Sequence, residues 1–523
     1  MPFTSDKKWG VLIVASFAVF IMVIDTTIMN VSISALVEDL NTDLPAIQFA
    51  ISVYALIMAS FMLFGSKIQD VTGRKKSFIL GVILYGAGTF IASVSWNISV
   101  LLFGWSLLEG LGAAFMLPAT ASFLTGTYEG RDRTFAFGLW GGVGAAGAAF
   151  GPIVGGFLTT FYSWRWAFRL ELLVVVAIIL LSYLLTETKP KMKFREIDVP
   201  GTIISFAGLS LIIIGILSVR NFEMWDIIPV ITGSGMVLLG GFYIREKRRK
   251  EAGKIPLVDV GLFQNRIFNV GNIVGMIQNM VIAGVLFIIP VFLQSVTGVS
   301  AFLTGVALLP LSLSILFFSV SANRLSAVTT PRNLLLIGFL TALAGTVLLR
   351  NVFSLNTVIG DLIPGSVIFG VGVGIILSQL TNLTLSSATK EQESDASGIL
   401  NTTRQLGTSL GTAVIGIVLF TSLFMGLLSE IGTTDYSGYA DNEVIAEDLL
   451  EWEYKMQKTP IPKDSIFSTV KAAEIPDEIK RDAKVIVDNA VSGAMKTCFD
   501  AIALILLAGF FAVLFLPRRK ADS

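Results

Sequence analysis

Asp25 stands inside the apolar run VLIVASFAVFIMVIDTTIMNV, Glu109 inside LLFGWSLLEGLGAAFML, and Arg169 and Glu171 enter the apolar run RLELLVVVAIILL. Ionisable side chains in such surroundings are costly in hydrocarbon and mark ion or substrate paths. The chain has no histidine and a single cysteine, Cys498. A disulfide framework, a structural zinc site and a Ser-His-Asp triad are therefore excluded by inventory, and proton chemistry falls to carboxylates. Asp25 lies past the midplane of its run, where a carboxylate must be neutral, paired or facing a watery cavity. That position suits a proton carrier, and a hydrogen-bonded structural Asp is the alternative. Glu109, near mid-membrane, is a second candidate for titration, with Arg169 as a possible partner and Glu171 close by in sequence; a structural ion pair fits these residues as well.

The elements that must hold these groups are membrane helices. Of 523 residues, 54% are hydrophobic and only 15% charged, with a mean hydropathy of +0.76, against roughly 25% charged in a soluble domain. The 49 glycines and 38 phenylalanines suit helices packed in a bilayer. A net charge of zero gives no argument for nucleic acid. About fourteen stretches reach the ~20 residues needed to cross about 30 Å of hydrocarbon; the pair between 199 and 244 is the most open to a re-entrant reading. The first run follows MPFTSDKKWG without a small-residue cleavage site, and reads as an uncleaved helix.

Basic residues alternate between connections: Lys7, Lys8, Arg74, Lys75, Lys76, the run REKRRK at 245–250 and PRRK at 517–520 fall on one side, and few on the other. The bias predicts an even number of crossings with both termini in the cytoplasm. A long charged insertion at 429–488, containing EDLLEWEYKM, falls between the last two spans and so outside. The segment QFAISVYALIMASFMLFGSKIQDVTGRKKSFILG is echoed weakly by GVSAFLTGVALLPLSLSILFFSVSANRLSAVTTPRNLLLIG. The expected organisation is an N-terminal six-helix bundle at 1–198, an inserted helix pair and linker at 199–254, and a C-terminal six-helix bundle at 255–523. Such repeats build a site at the midplane between two rocking halves.

Four motifs carry a resemblance. The loop GSKIQDVTGRKK resembles the G-x-L-x-D-x-x-G-R-[KR] signature of the major facilitator superfamily, with Asp70, Gly73, Arg74 and Lys75 matching and Lys67 at a usually apolar position. Gly73 permits a tight turn, and Asp70 with Arg74 can form charge-assisted bonds that gate the cytoplasmic mouth. The fifth run carries GGVGAAGAAFGPIVGG, similar to the G-P-x-x-G-G string of antiporters in that superfamily, with Gly144, Gly151, Pro152, Gly155 and Gly156 leaving one helix face bare. In the first run, Asp25, Thr26 and Asn30 match the D-x-T-I-V-N-V-A-L-P signature of fourteen-helix drug:proton antiporters. Near the C-terminus, SDASGILNTTRQLGTSLG resembles the N-T-x-R-Q-x-G element of the same group. There Asn401, Arg404, Gln405, Thr408 and Thr412 form a polar stripe suited to a cavity or to a helix contact. The fourth run departs from the family pattern: Ser106 and Glu109 stand where R-x-x-Q-G has Arg and Gln.

The resemblance, to the EmrB/QacA type, implies an all-α integral membrane protein of the major facilitator fold, with two pseudo-symmetric six-helix bundles plus two extra helices. It implies a proton-coupled multidrug exporter of lipophilic or cationic compounds in the cytoplasmic membrane, acting as a monomer. Its partners would be a small-molecule substrate, protons and lipid; it is no enzyme and calls for no cofactor or metal. The proton-coupling set is then Asp25, Glu109, Glu171 and Arg169, and the substrate cavity Thr26, Asn30, Asn401, Arg404 and Gln405. An exporter dedicated to one antibiotic, lipid or metabolite is the alternative; an enzyme or scaffold built on the 429–488 loop is the reading from another class.

Overall fold

The computed structural model describes residues 5–187, 192–218, 226–322, 329–389, 392–433 and 477–517, with the single positions 190 and 224. The expectations for the loop at 429–488, including a short helix at EDLLEWEYKM, fall mostly outside these residues. Fourteen helices among the described residues are long and apolar enough to cross a membrane. They are α1 (Ser5–Val31), α2 (Leu44–Thr72), α3 (Arg74–Ser93), α4 (Ile98–Thr127), α5 (Gly130–Phe161), α6 (Arg165–Leu181), α7 (Val199–Leu217) and α8 (Ile228–Glu251). There follow α9 (Arg266–Val291), α10 (Ala301–Ser321), α11 (Pro331–Arg350), α12 (Ile359–Leu385), α13 (Glu393–Thr433) and α14 (Asp477–Leu514). The pair at 199–244 consists of two full-length helices, α7 and α8, so the re-entrant reading falls.

Helix ends follow local chemistry. Asp43 accepts the Ala46 amide ahead of Pro45 at the start of α2, and Thr330 accepts the Asn333 amide ahead of Pro331 at the start of α11. Between α2 and α3, Gly73 has a φ of 94°, a region that side chains rarely enter, so the turn requires glycine there.

Packing repeats with a shift of eight helices. In the first six, α1 packs on α5, α4 and α6, α3 on α4 and α6, and α2 on α4. In the last six, α9 packs on α13, α12 and α14, α11 on α12 and α14, and α10 on α12. The main contacts between the two sets, α2 on α13 and α5 on α10, exchange under the same shift. This is the geometry that the weak echo between the α2–α3 and α10–α11 segments announces.

Across this seam the GPxxGG face of α5 is in close contact on two sides. A Cβ at Gly155 would lie 2.8 Å from the Ile28 backbone of α1, and one at Gly156 would lie 2.3 Å from the Ala301 carbonyl of α10. On α10, a Cβ at Gly305 would lie 2.2 Å from the Pro152 carbonyl. Near the other end of α5, Cβ atoms at Gly138, Gly141 and Gly142 would meet nothing within 4 Å among the described residues. The α5–α10 seam is therefore closed away from the face that bears the α2–α3 loop, and splayed towards that face.

The inserted helices pack on each other, and α7 covers the α2–α13 contact, where Leu209 and Ile213 meet Leu56, Leu406 and Leu410. The pair is anchored at its ends by charge. Asp198 accepts two bonds from Arg245, at 2.8 and 2.7 Å. Its burial opposes ionisation, but the Arg245 guanidinium outweighs this and holds the carboxyl down to about 2. Asp259 joins Lys250 of α8 to Gln392, immediately before α13.

Candidate functional site

After one turn, α4 is wound as a π-helix over Leu102–Glu109. The wider turn, with bonds from i to i+5, is a form that recurs at functional sites, and here it carries Trp105, Ser106 and Glu109. Glycines set its distance from α3: a Cβ at Gly88 would lie 2.5 Å from the Glu109 amide, and one at Gly112 would lie 2.4 Å from the Tyr85 amide. The Ser106 hydroxyl, at the position where Arg is usual, donates to the Ala50 carbonyl of α2 at 2.9 Å. The departure from the family motif therefore ties α4 to α2 rather than placing a charge there.

Three helices converge on one acidic centre. Asp25 from α1, Glu109 from α4 and Glu171 from α6 each bring a carboxylate oxygen to within 4.8 Å of the other two. Relative exposures are 0%, 0% and 2%. Each acid has its own donor. The Trp105 indole N–H points at both Asp25 oxygens, 3.1 Å from each. The Thr89 hydroxyl of α3 lies 2.9 Å from Glu109 Oε2, and the Tyr85 hydroxyl, one turn before it, lies 3.2 Å from Glu171 Oε2. Tyr54 of α2 stacks on Trp105 with centroids 5.5 Å apart, and Phe168 meets the same indole edge-on.

Repulsion decides what such a centre can do. Two unit charges about 5 Å apart repel by roughly 3 kcal/mol even at an effective dielectric of about 20, and three pairs act here at once. Three ionised carboxylates this close are costly in such an enclosure, so the charge on any one acid is felt by the other two. The oxygens are near enough to bridge a cation, yet N–H and O–H donors are aimed at all three acids, an arrangement that suits exchange of protons.

Arg169 is not brought to Glu109. It lies exposed on α6 with its guanidinium 5.0 Å from the centre of the Trp166 ring. Glu171, two residues on and about 200° round the helix, points to the opposite side and into the bundle. Sequence reasoning missed Tyr85, Thr89, Trp105 and Tyr54. The i, i+4 spacing of Tyr85 with Thr89, and of Trp105 with Glu109, was the available signal.

The remaining motif residues lie elsewhere. Thr26 and Asn30 are half-buried on α1, their donors bonded to the Val23 and Thr26 carbonyls. On α13, contacts fix the orientation of the stripe. Gly407 and Gly411 face the Met276 and Met280 carbonyls of α9, Ser409 donates to Ser52 of α2, and Leu406 and Leu410 pack with α7. The arc left over carries Asn401, Arg404 and Thr408, with Gln405 beside it, and faces the interior between the halves; all four are half-buried. In the α2–α3 turn, Arg74 donates to the Ser122 carbonyl of α4 at 2.9 Å, and the Asp70 charge lies close enough to act on it. Lys75 is half-buried beside it. Lys67 crosses the seam to Asp395 of α13 at 2.9 Å, both side chains being largely buried.

Paired helical bundles about a polar interior, with buried carboxylates in one bundle, define a membrane transporter. The chain belongs to the Major Facilitator Superfamily, whose family model matches residues 15–412. Among curated proteins it is similar to the puromycin resistance protein pur8 of Streptomyces alboniger, with 26% identity over 82% of this chain and 85% of that one. It is also similar to the multidrug transporter protein MdtP of Bacillus subtilis, with 23% identity over 97% of this chain and 92% of that protein. Among solved structures it resembles a bacterial homolog of the human lysosomal transporter Spinster, at a TM-score of 0.64 and 15% identity over 98% of each chain. It is a transporter of small molecules and not an enzyme.

Proposed function

We propose that this chain is a proton-driven multidrug exporter, taking lipophilic small molecules from the cytoplasm and exchanging them for protons. The observation that carries this reading is the enclosed set Asp25, Glu109 and Glu171, within 4.8 Å of one another inside the first bundle. Support comes also from relatives named for resistance to, or export of, chemically different compounds, among them puromycin, methylenomycin A and tetracenomycin C. Relatives named as multidrug proteins, MdtP and Stp, favour a broad substrate choice over a single dedicated compound.

In this scheme residues 1–198 and 255–523 are the two rocking bundles, with both termini in the cytoplasm, in a monomer in the cell membrane. The splayed α5–α10 seam then opens inward, and substrate enters among Thr26, Asn30, Asn401, Arg404 and Gln405. A proton arriving from outside loads the acidic set, and the change of charge against α3, α4 and α6 favours return to the inward-open arrangement. Gly144, Gly151, Pro152, Gly155 and Gly156 give α5 the close contacts on which the halves pivot. Asp70, Gly73, Arg74 and Lys75 close the cytoplasmic mouth. A membrane potential supplies about 2.3 kcal/mol per charge per 100 mV.

The test is dye accumulation by purified protein in liposomes with an imposed proton gradient. Uphill movement that collapses when the gradient is discharged is expected. Equal accumulation with and without the gradient would overturn the coupling.

A further inference from the structure

The second bundle contains a cation where the first contains acids. Arg404 reaches from α13 into the wedge between α9 and α12. Its Cγ lies 3.8 Å from where a Cβ on Gly275 of α9 would stand, and its Nη2 donates to Thr381 of α12 at 2.6 Å. Its Nε is buried with no hydrogen-bond partner, and among the described residues no carboxylate lies within ion-pair distance. Gln278, one turn along the same face of α9 as Gly275, is 2% exposed, and both its amide oxygen and its amide nitrogen lack partners.

A guanidinium with a buried, unused N–H, in a bundle that also buries the unused amide of Gln278, is expensive to maintain in a membrane interior. Its planar donors match a carboxylate or a phenolate. The arc of α13 that carries it faces the space between the halves, so a molecule held there can reach it.

Resting on the exporter reading above, we infer that Arg404, held by Thr381, is a recognition point for an acidic group, carboxylate or phenolate, on the exported molecule. Substrates of this class extend the range beyond neutral and cationic lipophiles. The inference has an electrical consequence. An anion leaving while a proton enters moves positive charge inward on both counts, so an inside-negative potential drives both legs of the exchange.

Two probes built on one ring system separate the classes: fluorescein, which carries a carboxylate and a phenolate, and rhodamine 6G, an ester cation. Each is titrated against the full-length protein in nanodiscs by fluorescence polarisation, for wild type, Arg404→Lys and Arg404→Gln. Wild type should bind fluorescein. In Arg404→Gln the ratio of fluorescein to rhodamine 6G affinity should fall about tenfold or more, the weight of one charge-assisted contact, and Arg404→Lys should keep most of that ratio. Failure of wild type to bind fluorescein, or an equal loss of both dyes in Arg404→Gln, would overturn the inference. Because binding is read without a proton gradient, charge-selective binding with no uphill transport would defeat the exporter reading and leave this one standing.

Discussion

The two bundles share a packing plan and differ in what they enclose. Under the eight-helix shift α1 corresponds to α9, α4 to α12 and α6 to α14. The first three converge on Asp25, Glu109 and Glu171. Their counterparts do not: α9 contains no acid, α12 has one only in its first turn, Asp361, and Asp500 of α14 faces outward to Arg350. The second bundle holds instead Arg404 bonded to Thr381, and the buried amide of Gln278. On the function and the inference proposed above, one scaffold is filled twice, with proton-loading groups on one side and with donors for a ligand on the other. On that proposal the ion and the substrate do not compete for one residue and are coupled through the helices between them.

Removing the acids tests this division most severely. Glu109→Gln and Asp25→Asn keep volume and hydrogen-bonding capacity while deleting the titratable site, and each should reduce proton-driven export by roughly a hundredfold or more. Dye binding measured without a gradient should fall far less. Comparable losses in both measurements would erase the distinction between the bundles.

The acidic centre also depends on backbone approach. A Cβ at Gly112 would come within 2.4 Å of the Tyr85 amide, a backbone atom that cannot step aside. Gly112→Val should separate α3 from α4, cost about 3 kcal/mol, and lower the thermal midpoint in detergent. An unchanged midpoint would mean that the two helices are not held together here.

Lys67 and Asp395 join the bundles across the α2–α13 seam. Lys67→Asp places two acids face to face and should slow transport about tenfold. The exchange Lys67→Asp with Asp395→Lys should restore most of the rate, as measured by dye efflux. A swap no better than the single change would show that the pair does not bridge the halves in the working cycle.

The fold was legible because a membrane imposes one length and one solvent on every helix. Runs of apolar residues gave all fourteen spans, and the small residues of GPxxGG gave the close-packed face of α5. The site was legible only in part. Asp25 and Glu109 were conspicuous as charges among apolar neighbours, but which charges meet depends on helix rotation, and that placed Arg169 on the outer face while turning Glu171 inward. Tyr85 and Thr89 share one face of an apolar helix by their i, i+4 spacing, but that this face meets the acids depends on the glycine contact of α3 with α4, which the spacing does not state. Arg404 was visible as part of a stripe, but its missing acid is a fact about other helices.

The smallest expected effect sharpens the comparison by isolating a single hydrogen bond. The Thr89 hydroxyl has one proton and two acceptors in reach, the Tyr85 carbonyl and Glu109 Oε2, both at 2.9 Å. When Glu109 is ionised the carboxylate is the stronger acceptor; when it is protonated the hydroxyl can turn back to the carbonyl or accept in its turn. Thr89 can therefore follow the charge of the acid without moving its backbone. Thr89→Val preserves shape and removes that response, which is worth about 1 kcal/mol, so proton-driven export should fall roughly fivefold. Thr89→Ser keeps the hydroxyl and should recover most of the rate. If valine and serine behave alike, the hydroxyl has no part in the exchange, and the acids of the first bundle act without help from α3.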